Sequence, residues 1–218
     1  MVAQPTTLLG LEKTSLRQQA VTALRSAITS GALAPSSPLV ETELSEKLAI
    51  SRGTLREAMR QLQQEGLIVA GARGRLYVRH LDEKEIRDIF AVRAALESLA
   101  VRELAERPDR AEVLPPLHAA LAAMTRAEYS LDDRIETDLN FHRVLCRLTG
   151  NETLVHSWQS LEGSIRMSIM WAGLEKAVGN MDVGRHSAIV EAIETGDADQ
   201  AAAAVRHHMA TAADNLVS

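Results

Sequence analysis

The chain has a single cysteine, Cys146, so it can form no intramolecular disulfide, and a lone thiol suits a reducing cytosol. It has no stretch approaching the roughly 18 uninterrupted apolar residues of a membrane span. Its opening residues, MVAQPTTLLGLEKTS, lack the basic segment and long apolar core of a secretory leader. These absences predict a soluble, cytoplasmic protein with no membrane partner. Beyond His80 glycine is sparse and strand-like alternation is missing, which argues against a β-rich rear half. No His-Glu-x-x-His stretch occurs either, which removes a common signature of zinc-dependent hydrolases.

What is present divides in two. With 46% apolar and 24% charged residues, the 218-residue chain is globular and long enough for one large domain or two smaller ones. Charge favours two. Residues 1–80 hold 10 Lys and Arg against 6 Asp and Glu, whereas residues 81–218 hold 14 against 23. Only the front part has the balance of a nucleic-acid-binding segment.

Residues 1–13 read as a disordered tail. Ser15 then caps a helix that carries Leu16, Ala20, Ala23, Leu24, Ala27 and Ile28 at helical spacing and ends at Gly31. A second short helix runs from Glu41 to Leu48, Ala49 and Ile50 form a tight turn, and Ser51 caps a third helix stopped near Glu65 by Gly66. LIVA and RLYVR then flank GARG as a small hairpin. This order of helix, helix-turn-helix and wing covers residues 14–80. After a short linker at HLDEK (80–84), apolar spacing predicts helices near 83–107, 110–128, 132–149, 152–173, 182–195 and 197–215. The expected fold is mainly α: a winged helix-turn-helix followed by an all-α helical bundle over 81–218.

On the third helix Leu55, Ala58, Met59 and Leu62 share one face, while Arg52, Arg56 and Arg60 form a stripe on another. A guanidinium can bridge guanine O6 and N7 or clamp a phosphate, so an exposed stripe of this kind suits a helix in the major groove. Arg73 and Arg75 on the glycine wing are placed to meet backbone or minor groove. The plainer alternative is a solvated arginine face; the helix-turn-helix spacing and the wing count against it.

Residues 14–80 resemble the winged helix-turn-helix of the GntR family of bacterial transcription regulators, through the run ELSEKLAISRGTLREAMRQLQQEGLI. The resemblance implies that Arg52 and Arg56 contact DNA and that a wing glycine, nearest Gly74, meets the minor groove. With Thr54, Arg60, Arg73 and Arg75 these make up the expected DNA-binding set. Some members carry a further DNA-reading arginine where Thr42 stands, and many have Thr-Pro in place of Gly53-Thr54, so half-site preference does not carry over.

The rear half holds a different chemistry. Asp138 and His142 lie one helical turn apart and can converge on one point. His186 heads the stripe Ile189, Val190 and Ile193, and His208 shares a face with Ala201, Ala204, Val205 and Ala212, small residues that leave room for a cavity. Taken singly, each histidine is more often a satisfied core residue, and Asp138 with His142 is equally a surface ion pair. Four such groups on three inward faces are costly to bury unpartnered, and one divalent metal would satisfy them together. Arg93 lies on the apolar stripe of Ile86, Ile89, Phe90, Leu96 and Ala100, so it demands an anion: Glu97 one turn on, or a ligand's carboxylate. Arg166 is a second candidate for that ligand.

Residues 83–215 resemble the FCD domain of the FadR subfamily. The resemblance implies a metal motif, Asp-x-x-x-His and two separated histidines, at Asp138, His142, His186 and His208. His207 competes for the last place, but periodicity turns it off the cavity-facing line. Nitrogen-rich ligation with one carboxylate suits zinc, nickel, cobalt or manganese, with zinc the default. The resemblance further implies that Arg93 and the metal hold the carboxylate of a small organic acid, which weakens binding to an operator. The expectation is therefore a homodimeric DNA-binding regulator, a repressor on a palindromic operator, with no catalytic residues. Its rivals are a regulator that senses the metal itself and a metal-dependent hydrolase or lyase, in which an open coordination position activates water.

Overall fold

The computed structural model describes residues 15–125, 130–171 and 174–217, so the expected tail over 1–13 lies outside the described residues. Helix α1 (Leu16–Thr29) starts where Ser15 Oγ accepts from the Gln18 N–H at 3.2 Å, and it buries Ala20, Val21, Leu24 and Ile28. Helices α2 (Glu41–Lys47) and α3 (Arg52–Gln64) are joined by a turn in which Ala49 takes a φ of 51°. Ser51 caps α3 by accepting from the Thr54 N–H at 3.1 Å. The apolar spacing of α3 turns Leu55, Ala58, Met59 and Leu62 inward onto α1, where each is buried. Strands β1 (Ile68–Ala70) and β2 (Leu76–Val78) pair antiparallel, Ile68 opposite Val78 and Ala70 opposite Leu76. The tip between them, Ala72–Gly74, places Arg73 at φ 62° and Gly74 at φ 73°, a left-handed pair that closes the wing.

Helix α4 (Glu83–Ala105) begins with a reciprocal cap between Asp82 and Glu85. The cap draws Glu83 and Lys84 out of the expected linker and into the helix. A 3-10 turn (Arg110–Glu112), α5 (Leu114–Met124), α6 (Leu131–Arg147), α7 (Glu152–Trp171), α8 (Leu174–Asn180), α9 (Val183–Thr195) and α10 (Ala198–Val217) follow. Of the single helix expected over 110–128, residues 126–128 lie outside the described residues, and the rest is the 3-10 turn and α5, because Pro115 and Pro116 have no N–H to donate and belong in a first turn. Helix α8 has no counterpart among the expected helices. It has seven residues, too few for apolar periodicity to register.

In the bundle α4 lies along α10 and also meets α6, α7 and α9, while α6 packs between α5 and α7. The interior is closed by Trp158, Phe141, Leu104, Leu117, Ile135, Leu139 and Leu145, each worth about 1.5–3 kcal/mol on burial. Into this apolar interior four helices send charged or polar groups: Arg93 and Glu97 from α4, Asp138 and His142 from α6, His186 from α9 and His208 from α10, all buried.

The front and rear parts touch through α7. From Gly163 to Ile169 every residue of that helix is buried, which an ordinary surface helix does not allow. Its second cover is the end of α3. A Cβ on Gly163 would stand 1.2 Å from the carbonyl oxygen of Glu65, the C-cap of α3, and the Arg79 guanidinium donates to Ser164 Oγ at 2.7 Å.

Candidate functional site

The buried cluster is built from helical spacing and one carboxylate. On α6 the four-residue step brings Asp138 and His142 to the same side, facing His186 on α9 and His208 on α10. The His142 Nδ1–H donates to Glu97 Oε2 at 2.6 Å, and the His186 Nδ1–H donates to the carbonyl oxygen of Asp182 at 2.8 Å. Each partner is an acceptor, so each ring keeps its proton on Nδ1 and presents the Nε2 lone pair to the centre. Those two Nε2 atoms lie 3.2 Å apart, and His186 Nε2 lies 3.0 Å from Asp138 Oδ1. With neutral rings these pairs set acceptor against acceptor, an arrangement that calls for a proton or a cation between them. One proton on His186 Nε2 can serve Asp138 or His142, not both well; a cation can serve both. His208 adds a third ring, its centroid 4.6 Å from that of His186 and 5.4 Å from that of His142, and its buried Nδ1 has no hydrogen-bond partner among the described residues. Ligating atoms of His142, His186 and His208 all fall within 4.8 Å of one another.

Electrostatics keep His142, His208 and the two carboxylates in the forms that ligation requires. Burial pushes the pKa of His142 down, helped by the Arg93 charge, and pushes that of His208 well down, helped by the Arg93 and Arg185 charges, so both are neutral near pH 7. Burial would raise the Glu97 carboxyl, but His142 and Arg93 beside it, with hydrogen bonds from His142 and Trp158, hold it at about 2. Asp138 is held at about 2 as well, since the His186 contact, then His142 and Arg93, outweigh its burial. His207, the rival for the fourth place, is exposed on the outer face of α10.

Of the two anions expected for Arg93, the fold supplies Glu97. Its Nε donates to Glu97 Oε1 at 2.7 Å and its guanidinium sits 5.5 Å from the centre of the Phe90 ring, yet its Nη2 is buried without a partner. The cavity that Arg93 lines together with Asp138 and His208 measures about 10 Å³, room on the order of one water. Phe90, Ile169, Asn180, Met181 and Ala212 complete its lining, and it is far smaller than the cavity expected from the alanines of α10. Arg166 is not at this cavity. It lies on α7 in the cleft between the front and rear parts, bonded to Glu136. Sequence reasoning finds Glu97 only as the partner of Arg93. In the fold it also accepts from His142, 45 positions away, and from the Trp158 indole at 2.8 Å, 61 positions away, contacts with no local signal.

At the front, Arg52, Arg56 and Arg60 are all exposed on the outer side of α3. Arg56 Nε donates to Glu41 Oε2 at 2.8 Å, and Arg60 pairs with Glu57 at 2.7 Å. The Thr54 hydroxyl is engaged with that of Ser51 at 2.9 Å. Arg73, Gly74 and Arg75 are exposed at the wing tip and border the start of α2 across a cleft of about 490 Å³. Among the described residues no helix is long and apolar enough to cross a membrane.

Residues 16–78 match the family described as bacterial regulatory proteins, gntR family, and residues 88–211 match the FCD domain. Among curated proteins, the chain is 28% identical over 203 residues to a Paenarthrobacter nicotinovorans protein described as "Probable D-xylose utilization operon transcriptional repressor", covering 92% of this chain and 88% of that one. It is 26% identical over 197 residues to the HTH-type transcriptional repressor RspR of Escherichia coli (strain K12), covering 89% and 86%. Its fold is that of the solved structure of E. coli McbR/YncC, with a TM-score of 0.69 at 19% identity over 94% of this chain and 98% of that one. The chain belongs to the gntR family of bacterial regulatory proteins, with an FCD domain behind its DNA-binding part, and is a transcriptional regulator rather than an enzyme.

Proposed function

We propose that this regulator is a homodimeric repressor of the FadR subfamily. Residues 14–80 read a palindromic operator through Arg52, Thr54, Arg56, Arg60, Arg73, Gly74 and Arg75, and residues 81–218 bind a divalent metal and a small carboxylated metabolite. The observation that carries the rear half of this reading is the set of mutually facing acceptors, His142 Nε2, His186 Nε2 and Asp138 Oδ1, beside the partnerless Nδ1 of His208. Nitrogen-rich donors with one carboxylate fit zinc first, then nickel, cobalt or manganese. Such an ion would supply positive charge and coordination positions open to a carboxylate. Glu97 and the Asp182 carbonyl hold the two rings in the ligating tautomer. Arg93, with one guanidinium nitrogen unsatisfied, offers a charge-assisted N–H to the same carboxylate. Two half-sites on a two-fold dimer give the specificity that one small winged helix lacks.

Elemental analysis tests the site: about one divalent ion per chain is expected. His142→Ala, His186→Ala and His208→Ala each lower occupancy, whereas His207→Ala does not. Equal loss from His207→Ala and His208→Ala would remove the assignment. Calorimetric titration of organic, sugar and amino acids into loaded and chelated protein then seeks the metabolite, with operator affinity read alongside. The small cavity also favours a second reading, in which the metal itself is the signal. Operator affinity that changes with metal in the absence of any acid distinguishes it.

A further inference from the structure

We propose that Glu41 is a positioning residue that sets DNA specificity through Arg56, a proposal that rests on Arg56 being a DNA contact. Arg56 stands on the outer side of α3 with 61% of its side chain exposed, and its Nε donates at 2.8 Å to a carboxylate from a different helix, Glu41 in the first turn of α2. Arg60, further along the stripe, pairs instead within its own helix, with Glu57. The Glu41 contact therefore joins the two halves of the helix-turn-helix at the point where the side chain would leave for DNA.

Stability does not account for this contact, since an exposed ion pair adds little to a fold. Its effect is on the arginine. Arginine loses much rotamer freedom when fixed, and tying Nε before DNA arrives removes part of that loss from the binding step. The Nη1 and Nη2 edge makes no hydrogen bond with the described residues, and that edge reaches guanine O6 and N7 together. The Glu41 charge also acts on the rivals for Arg56. A phosphate is a full anion that would have to sit beside another full anion, whereas a guanine edge offers only dipolar acceptors. Repulsion of the wrong partner is a common source of specificity. Glu41 thus penalises backbone contacts that any sequence offers more than the base contact that one sequence offers.

The test uses the full-length protein and two duplexes: the sequence that wild type enriches most from a random pool, and a scrambled duplex of the same composition. Glu41→Gln keeps size and removes charge. It should raise affinity for the scrambled duplex about three- to tenfold at low salt and steepen the log–log salt slope by about one unit, as neutralising one more phosphate requires. Affinity for the selected duplex should change less than about twofold, so the ratio of the two falls. In an Arg56→Ala background the same substitution should leave the ratio unchanged. A thermal midpoint equal to wild type shows that α2 still folds. If Arg56→Ala weakens selected-duplex binding but Glu41→Gln leaves the ratio and slope as they were, the positioning role is overturned while the DNA contact stands. If Arg56→Ala itself changes nothing, the contact fails and the proposal with it. An effect of Glu41→Gln that persists without Arg56 makes Glu41 a general surface charge and likewise overturns the proposal.

Discussion

Replacing Gly163 by alanine would put a methyl group 1.2 Å from the carbonyl oxygen of Glu65 and 2.4 Å from its carbon. Contacts of real Cβ atoms stop at about 3.0 Å, so the end of α3 and the middle of α7 must part by about 2 Å. Both partners are backbone, and no flexible side chain can give way. Overpacking of this kind costs about 1–3 kcal/mol. At 1.4 kcal/mol per tenfold, the docked arrangement then loses a factor of roughly 5 to 150 in population. The cost falls on the junction, because the His cluster hangs from α6, α9 and α10 and its Glu97 support is bonded to Trp158, more than a turn before Gly163. The expected outcome is full metal content, a helical bundle that melts as wild type does, and loss of communication between the two parts. Operator affinity measured by fluorescence anisotropy with and without chelator, or with and without the best acid from a ligand screen, should differ in wild type and converge in Gly163→Ala. Ser160→Ala, on an exposed position of the same helix, serves as control. If Gly163→Ala keeps the wild-type difference in operator affinity, coupling does not run through this contact.

Glu97→Gln removes the one carboxylate that serves Arg93, His142 and Trp158, leaving the Arg93 charge buried; a loss of about 3–5 kcal/mol in denaturant unfolding is expected, with metal affinity lower by about 10- to 100-fold. A variant as stable as wild type would mean that Arg93 has another anion. Acid should destabilise the metal-free protein over two ranges. His142 and His208, whose folded values lie below 6.5, refuse protons that the unfolded chain accepts, so stability falls as pH drops through 6.5. Glu97 and Asp138, at about 2 against ordinary values of 4.5 and 3.8, contribute stability present above those values and lost as pH approaches 2. Urea midpoints in chelator should therefore decline throughout acidification; a midpoint that rises below about pH 6.5 contradicts the buried neutral histidines.

Periodicity makes much of the architecture legible in the residues themselves. In α3 a cap at Ser51 and apolar residues at 55, 58, 59 and 62 fix both where the helix starts and which face it buries, and the arginines go outward by default. The same logic turns Asp138, His142, His186 and His208 inward, since each sits in register with leucines, isoleucines, valines or alanines. What stays hidden is short or non-local. Helix α8 is two turns long, and its helical form depends on neighbours in α6, α7 and α10. Pro115 and Pro116 carry a usable signal, but the apolar spacing around them reads as one unbroken helix. Gly163 has a signal as well: a glycine inside a helix costs about 1 kcal/mol relative to alanine and calls for a reason. The reason, the Glu65 carbonyl, lies on another helix nearly a hundred residues earlier and cannot be read locally.

Under the proposed function, the closed cavity constrains how a signal leaves the rear half. An acid that touches both Arg93 and the His cluster is larger than the space for one water, so binding must displace part of the lining, which includes Phe90, Ile169, Asn180 and Met181. Phe90 is carried by α4, which is braced along α10 and held at its start by the Asp82 and Glu85 cap. Met181 lies in the short connection from α8 to α9, and Ile169 lies on α7. The route outward that ends in backbone contact with the front part is α7, which carries Ile169. A tilt of α7 reaches Gly163, where backbone meets backbone and no side chain absorbs the motion, and so reaches the end of α3. Ligand size and regulatory effect are then linked. Within a series of acids of equal affinity, those that displace Ile169 further should change operator binding more, and an acid that displaces only Met181 should bind without signalling.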